Sequence, residues 1–296
     1  MQLPHAVTAH AKINLTLEIL ARREDGYHAL RSVMVPIALD DELAFAPNER
    51  FAFTCDAAAL ADGNLVERAF TRLGPPHAPV AVALRKRIPV GAGLGGGSSD
   101  AAAVLRAAME GRFGARDGRD WIADARALGS DVPFFLVGAP ALVEGTGERV
   151  TALGAAPPWW AVVIVPAVHV ATGDAYARLA RDREHRPPPT RPRAGSASVR
   201  CGEALQRGDF DGVLAAMTND FEATIRDAYP AVRDALDALA AAGAARAMLS
   251  GSGGACFTLA RTEADAHAVR SRVTAGDART FAVPFARAEA WRGAQA

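Results

Sequence analysis

The segment Ile88–Ala103 constrains this chain more than any other part of its sequence. Five glycines lie within seven positions, from 91 to 97, and two serines and an alanine-rich helix former follow them. Glycine adopts positive φ without a Cβ clash and lets backbone N–H groups crowd around a ligand. A helix that begins here, with Ser98, Ser99 or Asp100 as its N-cap, presents N–H groups and a positive dipole end to an anion. The sequence therefore predicts a phosphate-binding loop followed by a helix.

Two familiar phosphate loops fit this segment poorly. A Walker A loop needs a lysine after its glycines, and none follows here. The glycine spacing matches the dinucleotide fingerprint, but Pro89 interrupts the strand that should lead into it. The residues about 20 positions downstream, 114–120, form a charged turn rather than a strand end with an acidic residue. A flexible turn without a ligand is the third alternative, and a nucleotide-phosphate loop of another family is favoured over all three.

Composition narrows the class of protein. Half of the 296 residues are hydrophobic and the formal net charge is zero, which favours neither a nucleic-acid nor a membrane-surface partner. No apolar run is long enough to span a bilayer, and the first ten residues lack the features of a signal peptide. Three widely spaced cysteines indicate reduced thiols. We expect a cytoplasmic globular protein of one large or two medium domains that binds neither nucleic acid nor membrane, with monomer and homodimer both open.

Lysine is unusually scarce in this chain. The 33 basic residues include only two lysines, Lys12 and Lys86, and the remainder are arginines. Where a generic positive charge suffices, arginine has been used. Lysine differs from arginine in carrying a compact ammonium charge, so the scarcity favours a specific role for the two lysines that remain.

Apolar periodicity predicts a chain of mixed strands and helices. Predicted strands cover residues 6–21, 30–43, 80–84, 159–165, 246–249, 255–259 and 280–285, and residues 141–144 and 148–153 form a hairpin. Predicted helices cover residues 64–73, 98–113, 120–128, 231–242 and 263–273, and Pro187–Gly195 reads as a surface loop. A boundary near residues 155–158 divides the chain into domains 1–156 and 157–296. The predicted elements of the second half approach the order β-α-β-β-α-β, which suggests a ferredoxin-like α+β domain.

Three further features point to phosphoryl transfer. Lys12 lies in an apolar strand, where the alternative is an edge lysine that opposes aggregation. Asp131 lies between glycine, proline and apolar residues, where the alternative is a turn-former or helix cap. The glycine-rich segment Leu249–Phe257 joins two apolar runs and is either an ordinary connection or a second wall of a phosphate site. Two such loops with one lysine and one isolated acid suit a reaction that needs positioned phosphates, charge neutralisation and an oriented hydroxyl.

These motifs together resemble the GHMP kinase family. Pro89–Ser99 is similar to the family's ATP loop, and Leu249–Phe257 is similar to its third, C-terminal motif. Three segments narrow the resemblance to members that act on a cytidylyl-alditol: Ala11–Leu17, Arg23–His28 and Gly129–Phe135. Glu144–Glu148 agrees with them, and the similarity covers most of the chain in collinear order, least well over residues 181–245.

The resemblance implies an α+β, two-domain GHMP kinase architecture. Its N-terminal domain would be ribosomal-S5-like α/β, its C-terminal domain ferredoxin-like α+β, and its active site would lie in the cleft between them. The implied reaction is the phosphorylation, by ATP with Mg²⁺, of the tertiary 2-hydroxyl of diphosphocytidyl-methylerythritol in the non-mevalonate route to isoprenoid precursors. In it Asp131 would orient and deprotonate the hydroxyl, and Lys12 would keep Asp131 ionised and offset charge in the transition state.

The resemblance also assigns binding residues, and it leaves the Mg²⁺ ligands unknown. The implied ATP-binding residues are Asn64, Pro89, Val90, Gly91, Ala92, Gly93, Leu94, Gly95, Gly96, Gly97, Ser98 and Ser99. The implied substrate-binding residues are Asn14, Tyr27, His28, Thr172 and Tyr176, with Tyr176 stacking on the cytosine. The third glycine motif contributes Ser250, Gly251, Ser252 and Gly253. That motif departs from the family where Gly254-Ala255 replaces a pair that would carry a hydroxyl.

Other functions stay open on the sequence alone. Another GHMP small-molecule kinase would keep the glycine loops but lack the tyrosine–histidine segment. A dinucleotide oxidoreductase would bind a nicotinamide cofactor instead of ATP. A non-catalytic nucleotide-binding regulator would bind ATP whether or not Lys12 and Asp131 were present.

Overall fold

The computed structural model describes residues 5–22, 28–57, 63–74, 80–114, 118–185 and 195–286, so Tyr27 and most of the Pro187–Gly195 loop lie outside the described residues. The described strands are β1 (His5–Asn14), β2 (Thr16–Arg22), β3 (His28–Pro47), β4 (Ala52–Cys55), β5 (Val80–Arg85), β6 (Ala141–Gly145), β7 (Arg149–Ala152), β8 (Trp160–Val165), β9 (Thr218–Asn219), β10 (Met248–Leu249), β11 (Cys256–Ala260) and β12 (Arg279–Pro284). The described helices are α1 (Leu65–Leu73), α2 (Gly96–Met109), α3 (Trp121–Leu128), α4 (Val132–Val137), α5 (Thr172–His185), α6 (Ala197–Gln206), α7 (Phe210–Ala216), α8 (Glu222–Ala228), α9 (Pro230–Ala241) and α10 (Glu263–Arg272).

The long strand β3 organises the first sheet. It pairs antiparallel with β1, β2, β5 and β6, and β4 joins β5 in parallel at one edge. The register between β1 and β3 shifts at His10/Ala11, and a β-bulge of this kind bends a strand. The helix α2 packs on β1 and brings an alanine-rich face into the core, with Ala101, Ala102 and Ala103 fully buried.

The second sheet is antiparallel and has the order β10-β11-β8-β12. Its central strand β8 is nearly continuous apolar sequence, and Val162 and Ile164 share a core with α5, α8, α9 and α10. The helix α9 begins with Pro230, which suits a first helical position because its missing N–H would have no acceptor there. The α+β class that the resemblance implied is confirmed.

Elements from the second half of the chain enter the first sheet. The short strand β9 pairs in parallel with β2. Glu18 of β2 accepts hydrogen bonds from the Ser196 hydroxyl and from the backbone N–H groups of Ala197 and Ser198, the latter two at 3.3 and 3.0 Å. A carboxylate at this end of α6 satisfies helix donors that have no intrahelical acceptor. One hydrophobic cluster also draws residues from both halves, among them Ile13 of β1 and Phe285.

The structure corrects several of the predicted elements. The single strand predicted over residues 6–21 is wrong, because Leu15 interrupts it and donates its N–H to the carbonyl of Val33 at 2.8 Å. The helix after the glycines begins at Gly96 and not at Ser98, and its N-cap is Gly95 rather than a serine or aspartate. The helices α5 to α8 were not predicted. The boundary near residue 156 falls between β7 and β8, and the domain division itself stays a prediction.

Within the described part of the chain, no helix is both long and apolar enough to cross a membrane.

Candidate active site

The glycine loop reaches α2 through three glycines in the left-handed region. Gly91, Gly93 and Gly95 have φ values of 69°, 83° and 74°, which residues with a Cβ rarely adopt. Gly95 is the N-cap of α2 and supplies no side-chain hydrogen bond there. Because the first N–H groups of a helix lack intrahelical acceptors, they are available to an anion held in the loop.

The loop lines a cavity of about 390 Å³. The residues assigned to ATP that line it are Asn64, Pro89, Val90, Gly91, Ala92, Gly93, Leu94, Gly95, Gly96, Gly97 and Ser98. Ser99 does not line it: its side chain is buried, and its hydroxyl has no hydrogen-bond partner among the described residues. Asn64 caps α1 by accepting from the N–H of Val66 at 2.9 Å, so a local structural role fixes its position beside the loop.

The second glycine segment packs backbone against backbone with the first. A Cβ on Gly93 would lie 2.4 Å from the carbonyl oxygen of Ser250, and a Cβ on Gly253 would lie 2.5 Å from the Gly93 nitrogen. The N–H of Ala255 donates to the carbonyl of Ala92 at 2.9 Å, and Ser250 Oγ donates to the Gly93 carbonyl at 3.3 Å. The absence of side chains at Gly93 and Gly253 is therefore what allows this approach.

Lys12 is buried on β1 and directs its ammonium group to the glycine loop. Its backbone N–H donates to the carbonyl of Leu94 at 2.9 Å. Its Nζ donates to Asn14 Oδ1 at 2.6 Å and to the Gly93 carbonyl at 2.8 Å, and lies 3.7 Å from Asp131 Oδ2. Burial lowers the pKa of Lys12, and the neighbouring Asp131 carboxylate opposes that shift. The lysine is therefore held by three oxygen atoms and does not lie on an exposed edge.

Asp131 occupies a position where a carboxylate often caps a helix. It is the N-cap residue of α4, but its side chain makes no cap hydrogen bond. The side chain keeps 31% of its exposure and lines a second, larger cavity. The preceding Ser130 is packed against Gly147. A Cβ added at Gly147 would lie 2.3 Å from the Ser130 carbonyl oxygen. The carboxylate is thus held beside Lys12 without being committed to the local backbone.

The larger cavity has a volume of about 740 Å³ and is lined from both halves of the chain. The residues predicted for the site that line it are Lys12, Asn14, His28, Gly93, Gly95, Ser98, Asp131, Thr172, Tyr176, Gly251 and Ser252. Gly93, Gly95 and Ser98 line both cavities. The two cavities therefore meet at the first turn of α2, beside the Lys12–Asp131 pair.

Aromatic rings form one wall of the larger cavity. His28 and Tyr176 stack with ring centroids 5.4 Å apart and an interplanar angle of 26°. Phe221 meets Tyr176 edge-on at 4.9 Å. Burial raises the pKa of Tyr176 to about 12, and the Asp131 carboxylate adds to that shift. Tyr176 therefore presents a neutral ring at any ordinary pH.

Sequence reasoning missed part of this lining. The additional residues are Leu17, Leu30, Met34, Ser130, Thr146, Ala177, Ala180 and Phe221. The sequence could have indicated Thr146, because it lies within the Glu144–Glu148 motif that supports the family resemblance. No role was assigned to this threonine. The Thr146 N–H and hydroxyl donate to Glu148 Oε2 at 2.6 and 2.8 Å. Phe221 belongs to no recognised motif, and only the folding of the second half of the chain brings it to the cavity.

The second lysine has a different environment from the first. Lys86 Nζ donates to Asp100 Oδ2 at 2.7 Å and also to Asp41 Oδ2. Asp41 Oδ1 accepts from the N–H groups of Arg87 and Ile88 at 2.6 and 2.9 Å. This cluster ties the start of the glycine loop to β3 and α2.

Comparisons with family models agree with this geometry. The model described as the GHMP kinases N terminal domain matches residues 64–139, and the model described as GHMP kinases C terminal matches residues 203–278. The first match spans the glycine loop and Asp131, and the second spans the second glycine segment.

Individual proteins are similar over most of the chain. The 4-diphosphocytidyl-2-C-methyl-D-erythritol kinase of Symbiobacterium thermophilum is 43% identical over 256 residues, covering 83% of this chain and 87% of that protein. The protein of the same name from Deinococcus radiodurans is 39% identical over 271 residues, covering 89% and 87%. A crystal structure of 4-(cytidine 5'-diphospho)-2C-methyl-D-erythritol kinase aligns with a TM-score of 0.76 at 34% identity, covering 95% of this chain and 100% of that one. Homoserine kinase from Cytophaga hutchinsonii shares the fold, with a TM-score of 0.68 at 19% identity over 97% of this chain and 96% of that one.

Proposed function

The chain belongs to the 4-diphosphocytidyl-2-C-methyl-D-erythritol kinases of the GHMP kinase family, and we propose that it transfers the γ-phosphoryl group of ATP to the 2-hydroxyl of that cytidylyl-alditol. The products are ADP and the 2-phosphate, within the non-mevalonate route to isoprenoid precursors. One observation carries the proposal. The cavity lined by the glycine loop and the larger cavity share Gly93, Gly95 and Ser98, and the Lys12–Asp131 pair lines the larger one.

ATP occupies the smaller cavity in this proposal. The left-handed glycines place backbone N–H groups around its phosphates, and the N-terminus of α2 adds its positive dipole end. Asn64 lines this cavity, where its capping role holds it, and we assign it to the nucleoside end of ATP. The second glycine segment keeps the loop in place from behind.

Asp131 and Lys12 act on the acceptor alcohol. The carboxylate makes no cap hydrogen bond, so it is available to orient the hydroxyl and accept its proton as the new P–O bond forms. Lys12, whose Nζ lies 3.7 Å from Asp131 Oδ2, offsets negative charge that develops on the transferring group. The buried position of Lys12 strengthens that effect, because screening by water is reduced there.

The cytidine end of the substrate is recognised by the aromatic wall. His28 and Tyr176 offer stacked rings, and stacking of a base on an aromatic side chain is worth about 1–3 kcal/mol. We assign Asn14 and Thr172 to polar contacts with the substrate because both line the same cavity. Tyr27 keeps its assignment on the resemblance alone.

Magnesium fits the chemistry of this site. A hard divalent cation prefers oxygen ligands, and it is bound to nucleotides largely through phosphate oxygens and water. Ser98 lines both cavities, and its hydroxyl would hold such an ion together with the ATP phosphates. When bound, the ion neutralises phosphate charge during transfer.

The domain division, the cellular location and the binding partners are also proposals. We propose a division into domains 1–156 and 157–296, supported by the sheet of β8, β10, β11 and β12, whose strands all come from the second half of the chain. We propose a cytoplasmic location, supported by three free cysteines. Its partners are then ATP and the small-molecule substrate, without nucleic acid.

The test measures ADP release from ATP and Mg²⁺ with four acceptors in parallel. The acceptors are 4-diphosphocytidyl-2-C-methyl-D-erythritol, mevalonate, homoserine and galactose. Turnover confined to the cytidylyl acceptor supports the proposal. Turnover only with another alcohol contradicts the assignment of the aromatic wall, and ATP binding without turnover on any acceptor supports a regulator instead.

A further inference from the structure

A chain of hydrogen bonds leads from Lys12 through Asn14, which lines the larger cavity, to residues behind the cavity wall. Asn14 Oδ1 accepts from Lys12 Nζ at 2.6 Å, and Asn14 Nδ2 donates to Ser32 Oγ at 2.9 Å. Ser32 Oγ in turn donates to the backbone carbonyl of Thr16 at 2.6 Å. Ser32 lies on β3, is fully buried and lines neither cavity, so it is out of reach of substrate and nucleotide.

The direction of each hydrogen bond follows from the groups involved. A backbone carbonyl only accepts, so the single hydroxyl proton of Ser32 is committed to Thr16. Towards Asn14, Ser32 Oγ can then only accept. An asparagine amide has one donating and one accepting end, which coordinates alone distinguish poorly. The serine therefore requires the donating end of Asn14 and leaves the accepting end facing Lys12.

We propose that Ser32 is a positioning residue for phosphoryl transfer, which fixes the orientation of the Asn14 amide and through it holds the Lys12 ammonium between the Gly93 carbonyl and Asp131. The proposal rests on the proposed function of the Lys12–Asp131 pair. A reversed amide would present N–H groups to the ammonium, with two donors facing each other. In a buried site such an unpaired contact costs the desolvation of both groups.

The electrostatics of Lys12 make this orientation consequential. Burial lowers the pKa of Lys12, so the charged form depends on the oxygen atoms around it. Those atoms are Asn14 Oδ1, the Gly93 carbonyl and, farther away, Asp131 Oδ2. Loss of the Asn14 acceptor removes the shortest of these contacts.

A double-mutant cycle tests the proposal. Ser32→Ala lowers kcat by about 10- to 100-fold, since a small displacement near the reacting atoms has effects of that order, and leaves the KM for ATP near the wild-type value. Asn14→Ala lowers kcat too. In the Asn14→Ala background, the Ser32→Ala change alters kcat by less than about twofold, because the group through which Ser32 acts is gone.

Thr258→Val is the matched control. Thr258 lies on β11, is fully buried, and its hydroxyl has no hydrogen-bond partner among the described residues. Loss of this hydroxyl tests whether removing a buried hydroxyl is by itself harmful, and we expect an unchanged kcat. If Ser32→Ala does not fold, Ser32→Cys replaces the hydroxyl by a somewhat larger thiol, which is only a weak donor and acceptor, and carries the same expectation.

A second readout does not depend on turnover. The chain has four asparagines, at 14, 48, 64 and 219, so asparagine-selective ¹⁵N labelling gives a simple spectrum, and the pair of signals lost in Asn14→Ala belongs to Asn14. We expect these side-chain protons to exchange slowly with solvent in the wild type and at least about tenfold faster in Ser32→Ala.

The outcomes separate the two proposals. A wild-type kcat in Ser32→Ala, or an equal fractional loss in the Asn14→Ala background, overturns the positioning role. Unchanged exchange of the Asn14 amide in Ser32→Ala overturns the fixed orientation. A wild-type chain without turnover on any acceptor overturns the proposed function, and the exchange measurement still decides whether Ser32 orients Asn14.

Discussion

The Nζ atom of Lys12 lies 3.7 Å from the Oδ2 atom of Asp131, and the lysine is buried while the carboxylate keeps 31% of its exposure. This asymmetry suits the two roles proposed. A carboxylate that accepts a proton from a substrate hydroxyl has to reach into the cavity, whereas a cation that acts by its charge is more effective with less water around it.

Asp131→Asn is expected to lower kcat by orders of magnitude while the KM for ATP stays similar. The amide keeps the size of the side chain but accepts no proton, and the glycine loop is unchanged. Steady-state kinetics on both substrates measure the effect. Asp277→Asn, an exposed aspartate outside the site, is the control and should match the wild type. Near-normal kcat in Asp131→Asn would remove Asp131 from the role of base.

Tyr176→Ala is expected to raise the KM for the cytidylyl substrate and to leave the KM for ATP nearly unchanged. The loss of a stacking ring is worth about 1–3 kcal/mol, which corresponds to roughly 5- to 150-fold in affinity. Tyr176→Phe keeps the ring and removes the hydroxyl, so it should bind the substrate almost as the wild type does. The opposite pattern, with the ATP constant affected, would place Tyr176 in the nucleotide site.

Gly93→Ala is expected to weaken ATP binding and turnover together. Its φ of 83° is unfavourable for alanine, and its Cβ would meet the Ser250 carbonyl at 2.4 Å. Gly202→Ala is the control, because Gly202 lies in α6 outside both cavities and a Cβ there would meet the side chain of Leu153 at 3.4 Å, an ordinary contact. Isothermal titration calorimetry with a non-hydrolysable ATP analogue compares the affinities of the two variants. Equal affinities for ATP would contradict the packing of the two glycine segments as a requirement for binding.

Stability should depend on pH through Asp100. Burial raises the pKa of its carboxyl from 3.8 to about 7, with Lys86 opposing the shift and Asp41 adding to it. Between these two values the folded protein holds a proton that the unfolded chain has released, so the free energy of unfolding falls as pH rises. The contribution from this group levels off above about pH 7.

Asp100→Asn removes that titration. Denaturant unfolding at several pH values from 4 to 8 should show the wild type losing stability relative to Asp100→Asn across the window between about 3.8 and 7. Asp277→Asn should run parallel to the wild type. A difference between wild type and Asp100→Asn that does not change with pH would contradict the raised pKa.

The parts of the site that are continuous in sequence were predictable. The glycine run indicates positive φ at several positions, and in the structure Gly91, Gly93 and Gly95 have positive φ. The scarcity of lysine pointed at Lys12 and Lys86 together, and the resemblance to the GHMP kinases assigned the catalytic role to Lys12. Only the structure distinguishes a lysine beside Asp131 from one enclosed by Asp41 and Asp100.

The parts that depend on distant contacts were not predictable. Nothing in the sequence indicates that Gly253 lies against the Gly93 nitrogen, because the two glycine segments are about 160 residues apart and meet only in the folded chain. From the sequence, Asp131 was as easily interpreted as a helix cap as a catalytic group. In the structure its side chain makes no cap hydrogen bond. The helix α5 is strongly charged and α7 and α8 have seven residues each, so their apolar periodicity is weak, and packing against the sheets stabilises them.

The junction made by Glu18 and α6 has a consequence for how the chain unfolds. A helix from the second half is anchored by a buried carboxylate of the first sheet, and β9 extends that sheet in parallel with β2. Neither half can then lose its structure without exposing apolar surface and polar groups of the other. We expect one cooperative melting transition for the whole chain, and two fragments cut between β7 and β8 should regain structure only when mixed.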